Sequence, residues 1–363
     1  MTYEEARAQF PVLERFAYLN AGTLGPLTSA TLEAAAEQSR ADQEQGRGGR
    51  AWFDSMLALR ARVRALLAEL IGVVPERIAI TTSTTDGCNI VVAGLGLTPE
   101  DEVVTTDAEH PGLLLPLHVS GAKVRVAEVA NRPTSEALDR ILACVGPRTR
   151  LLALSHVLWT TGQVMPVHEL KRVTGLAILV DGAQSVGAIP VQVGELDYYT
   201  VSGQKWLCGP ESTGALYVRD PERLRIAFPS YFAQVSIERD GAFVPKPDAA
   251  RFDTGWIAQS VLAGFEAAVN AAPEWRFERA AEITALCRAA LSASYEVAGE
   301  PDQGTLVAFT PPGDPAELAA KLYDRRVVVR NLPDTGWVRA SCGWWTNEDD
   351  IDRLVDGVAR VAG

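Results

Sequence analysis

The chain has 363 residues, 47% of them hydrophobic, which is enough for one large core with a smaller domain packed against it. Its 46 acidic and 34 basic residues leave a net charge of −12, which argues against a nucleic-acid groove or an anionic membrane surface as the main partner. Five cysteines (Cys88, Cys144, Cys208, Cys287 and Cys342) lack CxxC spacing and read as reduced thiols, not as a disulfide framework or a zinc site. In chain order, helical patterns at 31–44 and 53–71 precede a β-branched strand at 78–82 and a helix at 86–93. Strands at 102–106, 123–126, 151–155, 177–180, 198–201 and 214–218 then alternate with helices at 112–118, 134–143 and 166–174. Most of these strands lack apolar/polar alternation, as strands buried on both faces do. The expected fold class is therefore α/β, with a mainly parallel sheet of seven strands covered by helices on both faces. In such sheets a ligand sits outside the carboxyl ends of the strands.

Residues 221–251 shift to Pro, aromatic and polar composition. Helices at 257–271 and 274–292 follow, then strands at 305–309, 327–329 and 337–341, and a last helix from Asn347 or Glu348. The expected division is a large domain at 15–249 and a smaller α+β domain at 250–363, with residues 1–14 packing on the latter. The charged start, Met1 to Arg7, lacks the apolar segment of a signal peptide, and no run of about 18 uncharged apolar residues predicts a membrane span. A cytoplasmic setting is expected.

The strongest chemical signal is a pair of motifs, Val180-Asp181-Gly182-Ala183-Gln184 and Val201-Ser202-Gly203-Gln204-Lys205. Each places polar side chains just past an apolar strand. A carboxylate there needs a cationic or donor partner, and a lysine there tends to a lowered pKa, as an imine-forming amine requires. Pyridoxal 5′-phosphate (PLP) supplies both partners: a pyridinium nitrogen for the carboxylate and an aldehyde for the lysine. Either residue alone reads more readily as an N-cap or a strand end; the two together favour the cofactor.

These motifs, DGAQ at 181–184 and SGQKWLCGPESTGALYV at 202–218, resemble the class V aminotransferase group of fold-type I PLP enzymes. That group includes cysteine desulfurases, isopenicillin N epimerases and cyst(e)ine C–S lyases. The resemblance implies that Lys205 carries the cofactor as a Schiff base and Asp181 partners the ring nitrogen. It further implies that Gln184, with Ala183 in the same motif, lies at the ring, and that Ser202 and Gln204 contact the phosphate. The segment Thr81-Thr-Ser-Thr-Thr-Asp-Gly-Cys-Asn89 resembles the family's phosphate-binding turn, with Ser83, Thr84 and above all Thr85 as donors; unaided, it reads as an ordinary helix cap. His110, in Ala-Glu-His-Pro, matches the histidine that stacks on the ring and assists proton transfer. His156 also matches a family position, where a structural role is at least as good a reading. The four histidines show no metal-ligand spacing.

Arg339 resembles the arginine that clamps the substrate carboxylate, a task its planar fork suits, and Arg330 matches a second, weaker arginine position. Asn20-Ala-Gly-Thr-Leu-Gly25 resembles the loop lining the substrate pocket, and Trp159-Thr160 stands where desulfurases place an asparagine. Two departures shape the functional expectation. The segment 331–338 is short and free of the nucleophilic cysteine that desulfurases carry there. Trp256 stands where many relatives have a threonine reaching the partner subunit's phosphate, although Thr254 could substitute. The wording resembles the C–S lyase branch best, which implies β-elimination from cysteine, cystine or a related sulfur amino acid to pyruvate and ammonia. Aminotransfer or epimerisation is the alternative within the group, and a non-catalytic PLP-binding regulator is the alternative of another class. The group's sites lie at a subunit interface, so a homodimer is implied.

Overall fold

The structure is a computed structural model and describes residues 1–362. The N-terminal part contains α1 (Tyr3–Arg7), β1 (Ala17–Tyr18), α2 (Ser29–Gln45) and α3 (Gly49–Leu70). An alternating run follows: β2 (Ile78–Thr81), α4 (Thr84–Leu95), β3 (Glu102–Thr106), α5 (Pro111–Val119), β4 (Lys123–Ala127), α6 (Thr134–Ala143) and β5 (Thr149–Ser155). It closes with α7 (Val167–Thr174), β6 (Ala177–Asp181), β7 (Tyr198–Ser202) and β8 (Gly214–Val218). Next come β9 (Gln234–Ile237), β10 (Phe243–Pro245), α8 (Gln259–Asn270) and α9 (Arg276–Ser292). The chain ends with β11 (Leu306–Phe309), α10 (Pro315–Asp324), β12 (Val327–Val328), β13 (Arg330–Leu332), β14 (Trp337–Ser341) and α11 (Glu348–Ala362).

The seven expected strands form one sheet in the order β2-β8-β7-β6-β5-β3-β4. All run parallel except β8, which is antiparallel to both of its neighbours. The reason is the length of the connection. Only residues 203–213 join β7 to β8, too few for a crossover helix, so the chain must double back. Alternate residues of each central strand serve opposite faces: Leu152 and Leu154 join α3, α6, α7 and α8 in one core, while Leu151 and Ala153 join α4 and α5 in the other. β4 is an edge strand and keeps Lys123, Arg125 and Val126 exposed, which blunts that edge.

A second, antiparallel sheet, β11-β14-β13, forms the smaller unit with α9, α10 and α11. β1 pairs in parallel with β12, and Ala17 and Leu19 are buried in this smaller core, so the N-terminal attachment runs past residue 14. α8 goes the other way. Its Leu262 and Phe265 pack in the large core against α2 and α3, so we draw the division after Asn270 and not at 249. Sequence patterning could not show this, because an amphipathic helix does not name the surface it covers.

Candidate active site

The carboxyl ends of β2, β3, β6 and β7, the start of β13 and the middle of β14 converge on one cavity of about 170 Å³. Ser83, Thr84, Thr85, His110, Trp159, Gln184, Ser202, Gln204, Lys205, Arg330 and Arg339 line it. Asp181, Asn20, Thr160 and Ala183 are not among its lining residues, and Asp181, Thr160 and Ala183 are buried.

At one end, Ser83 caps α4 by accepting the Asp86 amide at 3.1 Å. Thr84 and Thr85 open the helix, where backbone N–H groups have no intrahelical partner and the dipole favours an anion. α5 starts beside them. A Cβ at Gly112 would come within 2.5 Å of Thr85 Oγ1, so only glycine lets the two helix starts meet this closely. Ser202 ends β7, and the Gln204 amide oxygen is buried without a protein partner.

In the middle, Asp181 ends β6 and accepts the Ala183 amide at 2.9 Å and the Thr200 hydroxyl at 3.3 Å, both on Oδ1. Ala183 therefore acts through its backbone, and its buried methyl does not face the cavity. Lys205 sits in the turn that sends β7 back as β8. Burial pulls its amine down from 10.5 to about 8; Asp181 pulls the other way, while Arg339 and Arg330 push it further down. His110 caps α5, and its Nδ1 accepts the Gly112 amide at 3.0 Å. In the neutral ring this leaves the proton on Nε2. Burial, then Lys205, keep the His110 pKa below the ordinary value. Trp159 meets the imidazole edge-on, with ring centroids 5.4 Å apart.

Gln184 is oriented by partners that leave no choice. Trp206 Nε1 can only donate, and it does so to Gln184 Oε1 at 2.9 Å; Gln184 Nε2 then gives one hydrogen to Gly22 O at 2.9 Å and keeps one free. At the far end, Arg339 is 1% exposed. It donates to Trp159 O at 2.5 Å and to Thr23 Oγ1 at 3.4 Å, while its Nε has no partner. Burial and then Arg330 lower its pKa to about 9.

Two expectations need correction. Asn20 does not line the cavity: its Oδ1 accepts the Thr23 hydroxyl at 2.8 Å, so Asn20 holds Thr23. Thr160 is buried and does not line the cavity, so of the pair only Trp159 does. Two residues escaped the sequence reading. Thr23, inside the quoted 20–25 loop, touches both arginines. Glu109, next to His110 in the chain, is buried and takes Ser155 N–H at 2.8 Å, Ser155 O–H at 2.5 Å and Thr106 O–H at 2.7 Å. Desolvation raises it to about 7, above what those three donors would allow. A glutamate after a strand gives no sequence signal of such burial.

His156 belongs to a different arrangement. Its Nδ1 pairs with Tyr199 O–H at 2.7 Å, which pairs with Ser185 Oγ at 2.6 Å, bracing the turn that carries Asp181 and Gln184. Burial and His168 lower its pKa to about 4, and it does not face the cavity. Thr254 spends its hydroxyl on Ile80 O at 3.3 Å, and Trp256 lies 59% exposed against Trp52, Tyr231 and Phe232.

Residues 18–354 match the family model for aminotransferase class V. The chain belongs to the class V aminotransferase family. Isopenicillin N epimerase of Streptomyces clavuligerus is 29% identical, with 99% of this chain and 98% of the relative covered. Cysteine desulfurase of Cronobacter sakazakii is 27% identical over the same shares. Among solved structures, the cystine C–S lyase C-DES in complex with its reaction product cysteine persulfide is similar at a TM-score of 0.90 and 30% identity, covering 98% of this chain and 99% of that one. A C-DES mutant with glycine covalently linked to the PLP cofactor is similar at 0.90 and 31%. Class V membership makes this chain a PLP-dependent enzyme of the fold-type I architecture. Its cavity fits the cofactor: a buried amine of lowered pKa, the Asp181 carboxylate close enough to act on it, and a hydroxyl-rich helix start for an anion.

Proposed function

We propose that this enzyme is a C–S lyase, eliminating a sulfur leaving group from the β-carbon of an α-amino acid and releasing pyruvate and ammonia. The observation that carries the amino-acid part is Arg339, a buried guanidinium without a carboxylate partner among the described residues, in the same cavity as the Lys205 amine. A buried unpaired charge is costly, and a substrate carboxylate at its free edge relieves that cost. The elimination part is supported by likeness to the C–S lyase over almost the full length of both chains. Residues 331–338 add to it. They form the β13–β14 hairpin, turned at Asp334 (φ 60°) and Gly336 (φ 75°), with no cysteine and no mobile length to deliver one. Cys208 and Cys342 are buried and their thiols are pushed up, which suits inert packing, not nucleophiles.

The residues divide the work by position. Ser83, Thr84, Thr85, Ser202 and Gln204 would hold the phosphate end and Asp181 the ring nitrogen. Gln184, with its free N–H, would hold the ring oxygen, and His110 would lie at the ring. Bound PLP withdraws electrons from the substrate's Cα and so acidifies its proton. Lys205 would hold the cofactor, and its amine, when free, would take the substrate's Cα proton on Nζ, which a pKa near 8 suits at neutral pH. Arg339 sets the carboxylate, and with it the orientation of the Cα–H bond. Epimerisation is the second reading, favoured by the Streptomyces clavuligerus relative.

A screen of cysteine, cystine and S-alkylcysteines that reads pyruvate, sulfide and keto acids in parallel tests the reading. We expect pyruvate and a sulfur product in equal amounts. Keto acid with the amino group retained on the enzyme, or inversion of Cα without pyruvate, would replace lyase by transfer or epimerisation. We further propose a homodimer, supported by the exposed apolar residues Phe228, Tyr231, Val235, Ile237, Val244 and Trp256 on one stretch of chain. A cytoplasmic setting suits its five free cysteines, and no helix among the described residues is long and apolar enough to cross a membrane.

A further inference from the structure

We propose that Glu109 is a positioning residue that acts on the cofactor through Asp181: the two carboxyls share one negative charge in the cofactor-free protein, and cofactor binding lets Glu109 ionise as well. The inference rests on Asp181 meeting the ring nitrogen, and it adds a second carboxyl to that end of the site. Ser155, Asp181 and Thr200 lie side by side on the adjacent strands β5, β6 and β7 as direct ladder partners, so their side chains leave the sheet on one face. Thr200 gives its hydroxyl to Asp181 at 3.3 Å. Ser155 instead gives Glu109 both its amide, at 2.8 Å, and its hydroxyl, at 2.5 Å. Ser155 thus touches Glu109 while standing one ladder step, about 4.8 Å, from Asp181. Both carboxyls are buried.

The partners of Glu109 are all neutral. Thr106 gives it a third hydrogen at 2.7 Å, because the Thr106 oxygen already accepts the Ala108 amide at 3.3 Å. No Arg, Lys or His pairs with Glu109 among the described residues, whereas the Lys205 amine acts on Asp181. α4 covers the row and keeps it dry. A Cβ at Gly87 would lie 2.7 Å from Thr200 Cγ2, and the adjoining Cys88 is fully buried. Burial raises the Cys88 thiol, and Asp181 and then Glu109 raise it further, so both carboxyls face one place. A second charge there is costly, and one carboxyl keeps its proton instead. Lys205 draws the charge to Asp181 and leaves the proton on Glu109, which burial raises to about 7.

With the cofactor bound, Asp181 sets its charge against a protonated ring nitrogen and no longer repels Glu109. The Glu109 pKa then falls, and its carboxylate helps Asp181 keep the ring nitrogen protonated. The direction with pH follows from this. Well below both Glu109 values the residue is protonated with or without cofactor and leaves affinity unchanged. From the lower value up through 7, binding releases a proton, so affinity rises with pH relative to a chain lacking this carboxyl. Cys88 from α4, Lys205 from the turn after β7 and His110 at the start of α5 also face the pair. They are common to wild type and a Gln variant, so the comparison isolates Glu109.

The test titrates cofactor-free wild type and E109Q with PLP by calorimetry near pH 6.5, in buffers of different ionisation enthalpy, which counts the protons exchanged. Equilibrium dialysis between about pH 5 and 8.5 gives Kd. Wild type should release about half a proton more than E109Q, as a fall of about one unit from 7 implies. The Kd of E109Q over that of wild type should be close to one near pH 5 and reach about tenfold near pH 8.5. A role in packing alone would give a ratio that does not change with pH. Equal proton release by the two proteins, or a flat Kd ratio, overturns the proposal and leaves the Asp181 reading standing. D181N should bind PLP more weakly and lose the Glu109-dependent release. A D181N protein that matches wild type in both Kd and proton count overturns the Asp181 reading, and this proposal with it. Should E109Q fail to fold, S155A decides: it removes one donor to the ionised carboxylate and should move the release to higher pH, and an unmoved release overturns the proposal.

Discussion

Lys205 and Glu109 put ionisable groups where water is scarce, and both effects can be read without turnover. The Lys205 pKa near 8 lies below its ordinary 10.5, so between those values the folded chain binds fewer protons than the unfolded one. Stability of the cofactor-free protein must then rise with pH across that window, and below pH 8 the burial cost is borne in full. Lys205→Met should therefore raise the thermal midpoint of the cofactor-free protein at pH 7. The gain is at most about 3 kcal/mol and should shrink between pH 8 and 10.5. No gain at pH 7 would mean that the amine is solvated. Glu109 runs in the opposite direction. Its pKa near 7 lies above the ordinary 4.5, so the folded chain holds the extra proton and stability falls as pH rises through 4.5 to 7. Denaturation of Glu109→Gln should match wild type near pH 5 and exceed it near pH 8, by up to about 3 kcal/mol.

At the scale of elements, the strands were legible because both-face burial writes continuous apolar runs, and the polar residues that end those runs stand out. Asp181 and Lys205 were found for that reason. Helix starts were legible by chemistry too, since Ser83 caps α4 one turn before the apolar pattern begins. The β9–β10 hairpin was not legible. It leaves Val235 and Ile237 exposed, so no inward-facing period marks it, and the sequence showed only a change in composition. The Asp253 cluster was equally hidden, since its partners lie 173 to 193 residues away along the chain. Asp253 takes Arg60 at 3.0 Å, Arg64 at 2.8 Å and the Ile80 amide at 2.8 Å, tying the segment around Thr254 to β2 and α3. Asp253→Ala leaves the buried Arg60 and the part-buried Arg64 without their carboxylate. We expect a loss of about 3–5 kcal/mol in urea denaturation; a loss below 1 kcal/mol would show that water replaces the carboxylate.

For the whole molecule, the exposed apolar residues of the 228–256 stretch sit badly on a lone chain, since patches of this kind mark interaction surfaces. Light scattering after gel filtration should give about twice the 39.0 kDa chain mass. The double substitution Val235→Glu and Ile237→Glu should move the mass to that of one chain. A wild-type mass of one chain would remove the homodimer.

The sequence by itself determined the parallel sheet, the positions of Asp181 and Lys205 at its carboxyl edge, and the hydroxyl-rich helix start, because each is a local pattern. Burial, strand ends and caps are written into neighbouring residues. Only the tertiary structure decided the rest. It put α8 with the large core, paired the N-terminal strand β1 with β12, and buried Glu109 against Ser155. It also set Thr23 between two arginines that come from the other end of the chain. Such contacts join residues far apart in sequence, and no periodicity records which distant surface will meet a side chain.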